Sequence, residues 1–246
     1  MDSTTKGIKF LEFALRPWDH FTVERDRAQA KLRENTDTCV TSNLKLVQPR
    51  HGYRFTADSV ALAEFIRISQ LQTLLDLCTG VGVVALLAWH LNPFRYAVGV
   101  ELQSELAELA RHNVRENHLS DKIFVVQGDV RALSLKESAN FGAIPSAERF
   151  DVISANPPYH ELCRGRINPD SQKAIARHEI QLTLLQLVKA CTNFLKPHGQ
   201  FYLAHLPERR QDILIALENH GFRVRRMEYA LPRKNRLLIE AVFQCS

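Results

Sequence analysis

The sequence predicts an α/β fold: a doubly wound, seven-stranded, mostly parallel sheet with an antiparallel C-terminal edge hairpin. Three observations carry this. From residue 56 onward, short apolar runs alternate with amphipathic stretches, the pattern of strands joined by helices of roughly 10 to 15 residues. The last two apolar runs follow one another with no helix between them, so they pair antiparallel. Each parallel crossover is right-handed, which places helices on both faces of the sheet.

The elements follow in order. "TADSVALAEFIRI" has Val60, Ala63, Ile66 and Ile68 at helical spacing, with Thr56 or Asp58 as its cap. "TLLDLC" (73–78) is a buried strand. "VVALLAWHL" (83–91) is a helix stopped by Asn92-Pro93. "YAVGVE" (96–101) is the second strand of the series. "ELAELARHNVREN" (105–117) sets Leu106, Leu109, Ala110 and Val114 on one helical face. "KIFVVQGD" (122–129) and "FDVISAN" (150–156) are strands. "EIQLTLLQLVKACTNFL" (179–195) is a long helix that stops at "KPHG". "GQFYLAHL" (199–206) is a strand, and residues 207–221 form a helix with Pro at its start and Gly at its end. "FRVRRMEYAL" and "RLLIEAVFQ" are the closing hairpin.

The chain has 246 residues, enough for one large domain or one domain with an appendage. Residues 1–40 differ from the rest. "TVERDRAQAKLRENTDT" is charged and lacks an apolar stripe, so 1–40 is expected to be a mobile extension and 41–246 the folded domain. The first 20 residues are broken by Lys9 and Glu12 and show no signal-peptide core. No apolar run approaches the roughly 20 residues of a membrane span. Cys39, Cys78, Cys163, Cys191 and Cys245 have no paired spacing, which argues against disulfides or a zinc site and fits a reducing cytoplasm. The net charge is +5, compatible with a nucleic-acid partner. Between His205 and Arg236 stand eight Lys/Arg and four acids. Phosphate contacts are expected among Arg209, Arg210, Arg225, Arg226 and Arg233; the alternative is a solvated face.

Open parallel sheets bind ligands beyond the carboxyl ends of their strands, so chemistry is sought there. "DLCTGVG" (76–82) ends one strand and opens a helix. Gly80 and Gly82 permit a tight turn and close ligand approach. This is not a full dinucleotide fingerprint, because Cys78 stands where the first glycine would be. Glu101 ends the next strand, where a carboxylate can accept from both ribose hydroxyls of a nucleoside. Asp129 ends the third, where it or its flanking amides can read an adenine edge. Asp76, Glu101 and Asp129 at three successive strand ends mark a nucleoside site.

The fourth strand runs into "NPPY" (156–159). Pro157 and Pro158 fix φ and donate no hydrogen bond, and Pro157 keeps Asn156 extended. Asn156 offers a side-chain carbonyl, Pro157 a backbone carbonyl and Tyr159 an aromatic face. Two carbonyls can hold both hydrogens of a planar exocyclic amine. That geometry turns the nitrogen lone pair out of the ring and toward an electrophile. A base can stack on the tyrosine. No metal is required.

"LDLCTGVGVVALLA", "VGVELQ", "VVQGDV" and "FDVISANPPY" together resemble class I S-adenosylmethionine-dependent methyltransferases with a Rossmann-like sheet that act on amino groups. "LKLVQPRHGYRFTADSVALAEF", "INPDSQKAIARHEI" and "HLPERRQDIL" extend the resemblance to the bacterial family of adenine-N6 methyltransferases that modify valine tRNA beside the anticodon. It covers about residues 41–246. The resemblance implies S-adenosylmethionine as cofactor. Asp76, Cys78 and Gly80 would line its methionine end, Glu101 would hold its ribose, and Asp129 and Val130 would meet its adenine. Asn156, Pro157 and Tyr159 would form the catalytic turn, with Asn156 also beside the cofactor. Thr56 would close over the amino-acid moiety. Arg177, His178 and Glu179 read as structural or substrate-positioning, because the chemistry needs no strong base before the amine becomes cationic.

The expected activity is methyl transfer to N6 of an adenine in RNA, tRNA in particular. A protein glutamine methyltransferase shares "NPPY" but usually carries a longer helical N-terminal domain than 40 residues allow. A DNA adenine methyltransferase would bring a target-recognition domain. A nicotinamide-dependent oxidoreductase leaves "NPPY" unexplained, and a non-catalytic RNA-binding module leaves the strand-end acids unexplained.

Overall fold

The sheet forms from the apolar runs in the order their burial demands. The computed structural model describes residues 36–41, 44–50, 53–133, 149–157, 182–230 and 235–244; the readings of residues 1–35, Tyr159 and the 177–179 triplet lie outside them. A hairpin comes first, β1 (Thr36–Thr41) against β2 (Leu44–Gln48). Then come α1 (Ala57–Phe65), β3 (Thr73–Leu77), α2 (Val83–Leu91), β4 (Tyr96–Glu101), α3 (Ser104–Glu116) and β5 (Ile123–Gln127). After them follow β6 (Phe150–Ala155), α4 (Leu184–Phe194), β7 (Leu195–His205), a 3-10 turn at Pro207–Arg209, α5 (Arg210–Asn219), β8 (Phe222–Tyr229) and β9 (Leu237–Phe243).

The seven-stranded sheet has the order β5-β4-β3-β6-β7-β9-β8. Pairings from β5 through β7 are parallel, and β9 is antiparallel to both β7 and β8. The expected closing hairpin is present, with the last strand inside and β8 at the edge. Chain order reverses between β3 and β6, so a switch-point crevice opens at the ends of those strands.

β3 and β4 are buried at every position, as parallel strands covered on both faces must be. Alternate side chains feed two cores. Leu75, Leu77, Val98 and Val100 pack with Leu187, Val188 and Cys191 of α4 and Ile213 and Leu217 of α5. Leu74, Ala97 and Val152 pack with Leu62 and Phe65 of α1, Val84 and Leu87 of α2, and Leu44 and Leu46 of β2. Residues 83–88 of α2 are buried in an unbroken run, because this helix has apolar neighbours on more than one side.

Two boundaries differ from the sequence reading. The helix expected from 179 begins at Leu184, where Thr183 and Gln186 form a reciprocal capping box. The next strand begins at Leu195 and takes in "KPHG", which had read as a stop. The pairing with β6 steps from Phe150↔Leu195 to Val152↔Gln200, so β7 carries a bulge. Pro197 has no amide to offer there, His198 is left-handed at φ 61, and a Cβ on Gly199 would lie 2.8 Å from Leu195 Cδ2. A strand can absorb these residues as a bulge, which sequence periodicity does not reveal.

Asn113 joins the hairpin to the sheet. It is fully buried in α3. Its Oδ1 accepts the Val47 N–H at 2.7 Å, and its Nδ2 donates to the Val47 and Val81 carbonyls at 2.9 Å each. The side chain thus pairs with β2 as a neighbouring strand would. Asn113→Ala leaves one buried and two partly buried backbone groups without their partner, and we expect urea denaturation to show about 2–4 kcal/mol of lost stability. A loss below half a kilocalorie would show that water replaces the amide.

Candidate functional site

The turn after β3 sets the site. Cys78 has φ 59, Gly80 φ 59 and Gly82 φ 86, so the chain reverses through three left-handed residues before α2 starts. Glycine accepts this backbone freely; cysteine takes it at a cost of roughly 1–2 kcal/mol. Asp76 lies beneath the turn and is almost fully buried. Its Oδ2 accepts the Thr79 hydroxyl at 2.5 Å and its Oδ1 the Ser154 hydroxyl at 2.6 Å. Ser154 is the direct cross-strand partner of Asp76 in β6. Gly99 in β4 makes room, since a Cβ there would meet the Thr79 side chain at 3.0 Å. Burial pushes the Asp76 carboxyl up to about 6, against the two hydroxyls that lower it; Glu101 raises it further.

Glu101 closes β4 and is buried. Its Oε2 accepts the Gly80 N–H and its Oε1 the Gln103 N–H, both at 2.9 Å. Burial raises this carboxyl above the usual range, and the backbone amides pull it partly back. Each oxygen has used one acceptor position in these two bonds, and the carboxylate faces a cavity.

The space between the cavity walls is about 570 Å³, part of it open solvent. Cys78, Gly80, Glu101, Asp129, Val130 and Asn156 line it. Tyr53, Gln103, Leu106 and Leu182 complete much of the wall. The structure thus gathers six of the sequence-predicted residues around one space. Pro157 follows Asn156 and is buried.

Two expected residues stand elsewhere. Thr56 is exposed, and its hydroxyl donates to Asp58 Oδ2 at 2.9 Å, so it serves the start of α1 and does not line the cavity. Asp76 supports the turn from below instead of facing the space. Asp129 lines the cavity with its carboxylate already engaged. Arg131 gives Oδ1 its backbone N–H and Nε, and gives Oδ2 Nε and a terminal guanidinium nitrogen. Three hydrogens serve these four contacts, because the single Nε–H is shared, and Arg131 holds the Asp129 carboxyl below its ordinary range. The carboxylate and its flanking amides both stay at the cavity wall.

The Asn156 amide is half committed. Its Nδ2 donates to Ser59 Oγ at 2.7 Å. Its Oδ1 is buried and has no hydrogen-bond partner among the described residues. A buried unpaired acceptor at a cavity wall marks a place for a donor from a ligand.

Of the five arginines singled out for phosphate contacts, two are spent inside the protein. Arg209 is buried and pairs with Asp212 at 2.7 Å. Arg226 pairs with Glu240 at 3.0 Å, donates to the Phe65 carbonyl at 2.6 Å and lies over the Phe65 ring at 3.7 Å. Arg210, Arg223 and Arg225 are exposed; Arg233 lies outside the described residues.

The methyltransferase small domain family matches residues 54–220. The chain belongs to that family. A tRNA1(Val) (adenine(37)-N6)-methyltransferase of Porphyromonas gingivalis is 32% identical over 142 residues, 58% of this chain and 52% of that protein. One of Tolumonas auensis with the same name is 26% identical over 71% of this chain and 68% of its own length. This chain spans about half the length of the first of these. Among solved structures, a methyltransferase from Pyrococcus furiosus superposes with a TM-score of 0.59 at 18% identity, covering 91% of this chain and 96% of that one. A tRNA m1G37 methyltransferase from M. jannaschii gives 0.60 at 11% identity, covering 87% and 58%. These structures share the Rossmann-like class I fold.

Methyltransferase small domain membership and this fold imply S-adenosylmethionine as cofactor. The wall fits it. Glu101 presents a buried carboxylate suited to a diol. Gly80 leaves a cradle in which a Cβ would meet the Tyr53 ring at 3.2 Å.

Sequence reasoning missed Tyr53, Ser59, Thr79 and Ser154. One signal was available: a serine inside the buried run "DVISA" must find a hydrogen-bond partner. Tyr53 and Ser59 left none, since their contacts depend on how α1 lies over β6.

The raised Asp76 carboxyl makes a pH prediction. A group that binds its proton more tightly folded than unfolded adds stability below the unfolded value of 3.8, and loses it as pH rises through about 6. A shift of about 2 units corresponds to about 3 kcal/mol. We expect wild-type stability to fall relative to Asp76→Asn by about that amount between pH 4 and 7, read by urea unfolding. A constant difference across this window would mean that Asp76 ionises as freely folded as unfolded.

Proposed function

We propose that this chain transfers a methyl group from S-adenosylmethionine to the N6 amine of an adenine in tRNA, in the cytoplasm. The carrying observation is the unpaired, buried Asn156 Oδ1 at the wall of a cavity that also holds Glu101. The names of the curated relatives support adenine and tRNA as the target. No helix among the described residues is long and apolar enough to cross a membrane.

When bound, the cofactor supplies an electrophilic methyl group on a sulfonium. The protein's residues bind and orient. Glu101 accepts hydroxyl hydrogens of the nucleoside. Asn156 Oδ1 and the Pro157 carbonyl accept the two hydrogens of the target amine, so its lone pair turns to the methyl group. Tyr159, two positions after Pro157 in the sequence, is the aromatic residue assigned to stack on the base. The adenine leaves its stack to reach this turn. Arg210, Arg223 and Arg225 are the exposed arginines suited to phosphates.

Labelled cofactor offered to total RNA, total DNA and protein extract tests the reading. Label should enter RNA as N6-methyladenosine. Label in DNA or in glutamine would replace the proposal with the corresponding alternative. Asn156→Ala should cut single-turnover transfer at least a hundredfold, on the order of one lost transition-state acceptor, with cofactor affinity changed less than threefold.

Glu101 carries two tasks, because it also anchors the Gly80 and Gln103 amides. Glu101→Ala should therefore weaken cofactor binding by about tenfold or more and also lower stability by about 1–3 kcal/mol. Calorimetric titration and urea unfolding read the two effects separately. Unchanged affinity would remove Glu101 from the nucleoside site.

A further inference from the structure

We propose that Ser59 is a positioning residue that fixes which face of the Asn156 amide meets the substrate, and so makes the site selective for hydrogen-bond donors. This rests on the reading of the substrate as an amine. The two ends of an asparagine amide have nearly the same shape but opposite hydrogen-bonding character. Rotated by half a turn, Asn156 would aim an NH₂ group into the cavity. That group would confront an incoming amine donor to donor, and transfer would stop. Nothing in the Asn156 backbone prevents the rotation. The side chain's partner does.

That partner is Ser59, on α1 and nearly fully buried. Its Oγ receives the Asn156 Nδ2 hydrogen at 2.7 Å across 97 positions of sequence. A hydroxyl has one proton and two lone pairs, so a serine alone serves either amide orientation. Tyr53, on the same wall, also hydrogen-bonds the Ser59 side chain. A serine proton given to the phenol oxygen leaves the serine lone pairs for Asn156. An amide facing lone pairs must present its NH₂ to them. Its oxygen then points to the cavity, where it is unpaired among the described residues.

The chain of contacts gives α1 a task in the chemistry that none of its residues performs by touching substrate. Ser59 is held for this task by its own backbone, since its N–H bonds the Thr56 carbonyl at 3.1 Å. At the same end of the helix, Arg236 pairs with Asp58 at 2.9 Å. The hydroxyl therefore approaches Asn156 from a fixed point.

The experiment compares Ser59→Ala and Ser59→Thr with the wild-type chain by two readouts. The first is hydrogen exchange of the Asn156 side-chain amide in selectively ¹⁵N-asparagine-labelled protein without cofactor, its signal assigned by its loss in Asn156→Ala. Exchange should speed up by about three- to tenfold in Ser59→Ala, the worth of one ordinary hydrogen bond, and stay slow in Ser59→Thr. The second is methyl transfer to RNA. Ser59→Ala should lower kcat by about tenfold with KM for RNA and cofactor affinity unchanged, and Ser59→Thr should restore most of it. Unchanged exchange in Ser59→Ala overturns the proposal, and so does an unchanged kcat. Should threonine's added methyl prevent folding, the alanine variant decides by the same two criteria. Failure of the adenine reading looks different: the wild-type chain then methylates no RNA, while the amide readout still judges Ser59.

Discussion

A single buried carboxylate, Asp76, shared between the Thr79 and Ser154 hydroxyls, holds the carboxyl edge of the sheet together. Taking such a group out of water is expensive unless its oxygens are paired, and charge-assisted hydrogen bonds are the strongest compensation available. One bond reaches forward into the turn and the other sideways into β6. The turn then offers the Gly80 amide to Glu101, which fixes the carboxylate at the end of β4. The bond to β6 lies two residues before Asn156. Three strands are thus brought into one register by a group that stands beneath the cavity wall. The site's walls are only as well placed as that carboxylate.

Much of this was legible in the sequence, and what was not has a common cause. α2 and β4 have the bounds read from their apolar runs, because a fully buried element leaves its whole length in the pattern. Gly80, Glu101, Asp129 and Asn156 were singled out because strand ends in an open parallel sheet are where polar and turn residues have a reason to be, whereas Cys78 and Val130 came only with the resemblance; all six line the cavity. Ser59 and Tyr53 escaped because a serine in an otherwise apolar helix looks like tolerated surface until β6 is laid beneath it. Thr56 was assigned by resemblance to a ligand, yet its hydroxyl is taken by Asp58 two residues on. Arg131 escaped because its ion pair with Asp129 is made by the turn that follows β5, and composition does not show such a pairing. The arginines of the C-terminal segment read alike as letters. Only the fold separates Arg226, locked between Glu240 and Phe65, from the exposed Arg225.

The left-handed Cys78 shows a constraint met without the usual residue. The turn asks for a positive φ directly after β3, and glycine would supply it without strain. Cysteine instead places a sulfur on the cavity wall, where burial and the neighbouring acids Glu101 and Asp76 hold the thiol protonated by pushing its titration well upward. A group so held is a small apolar surface and a poor nucleophile. Its presence narrows the cavity without adding reactive chemistry to it.

The position of β9 between β7 and β8 sets an order of events during synthesis. A ribosome delivers β8 before β9, yet β8 has no neighbour in the sheet except β9. While residues 237–243 are still being made, β7 presents an open edge, the most association-prone feature a sheet can have. The same late arrival governs α1. Arg226 and Arg236, both carried by the closing hairpin region, grip the helix at Phe65 and Asp58. That helix is therefore clamped from the strands translated after all the others of the sheet. A nascent chain that already holds the described wall residues of the cavity still lacks the clamp beside Ser59.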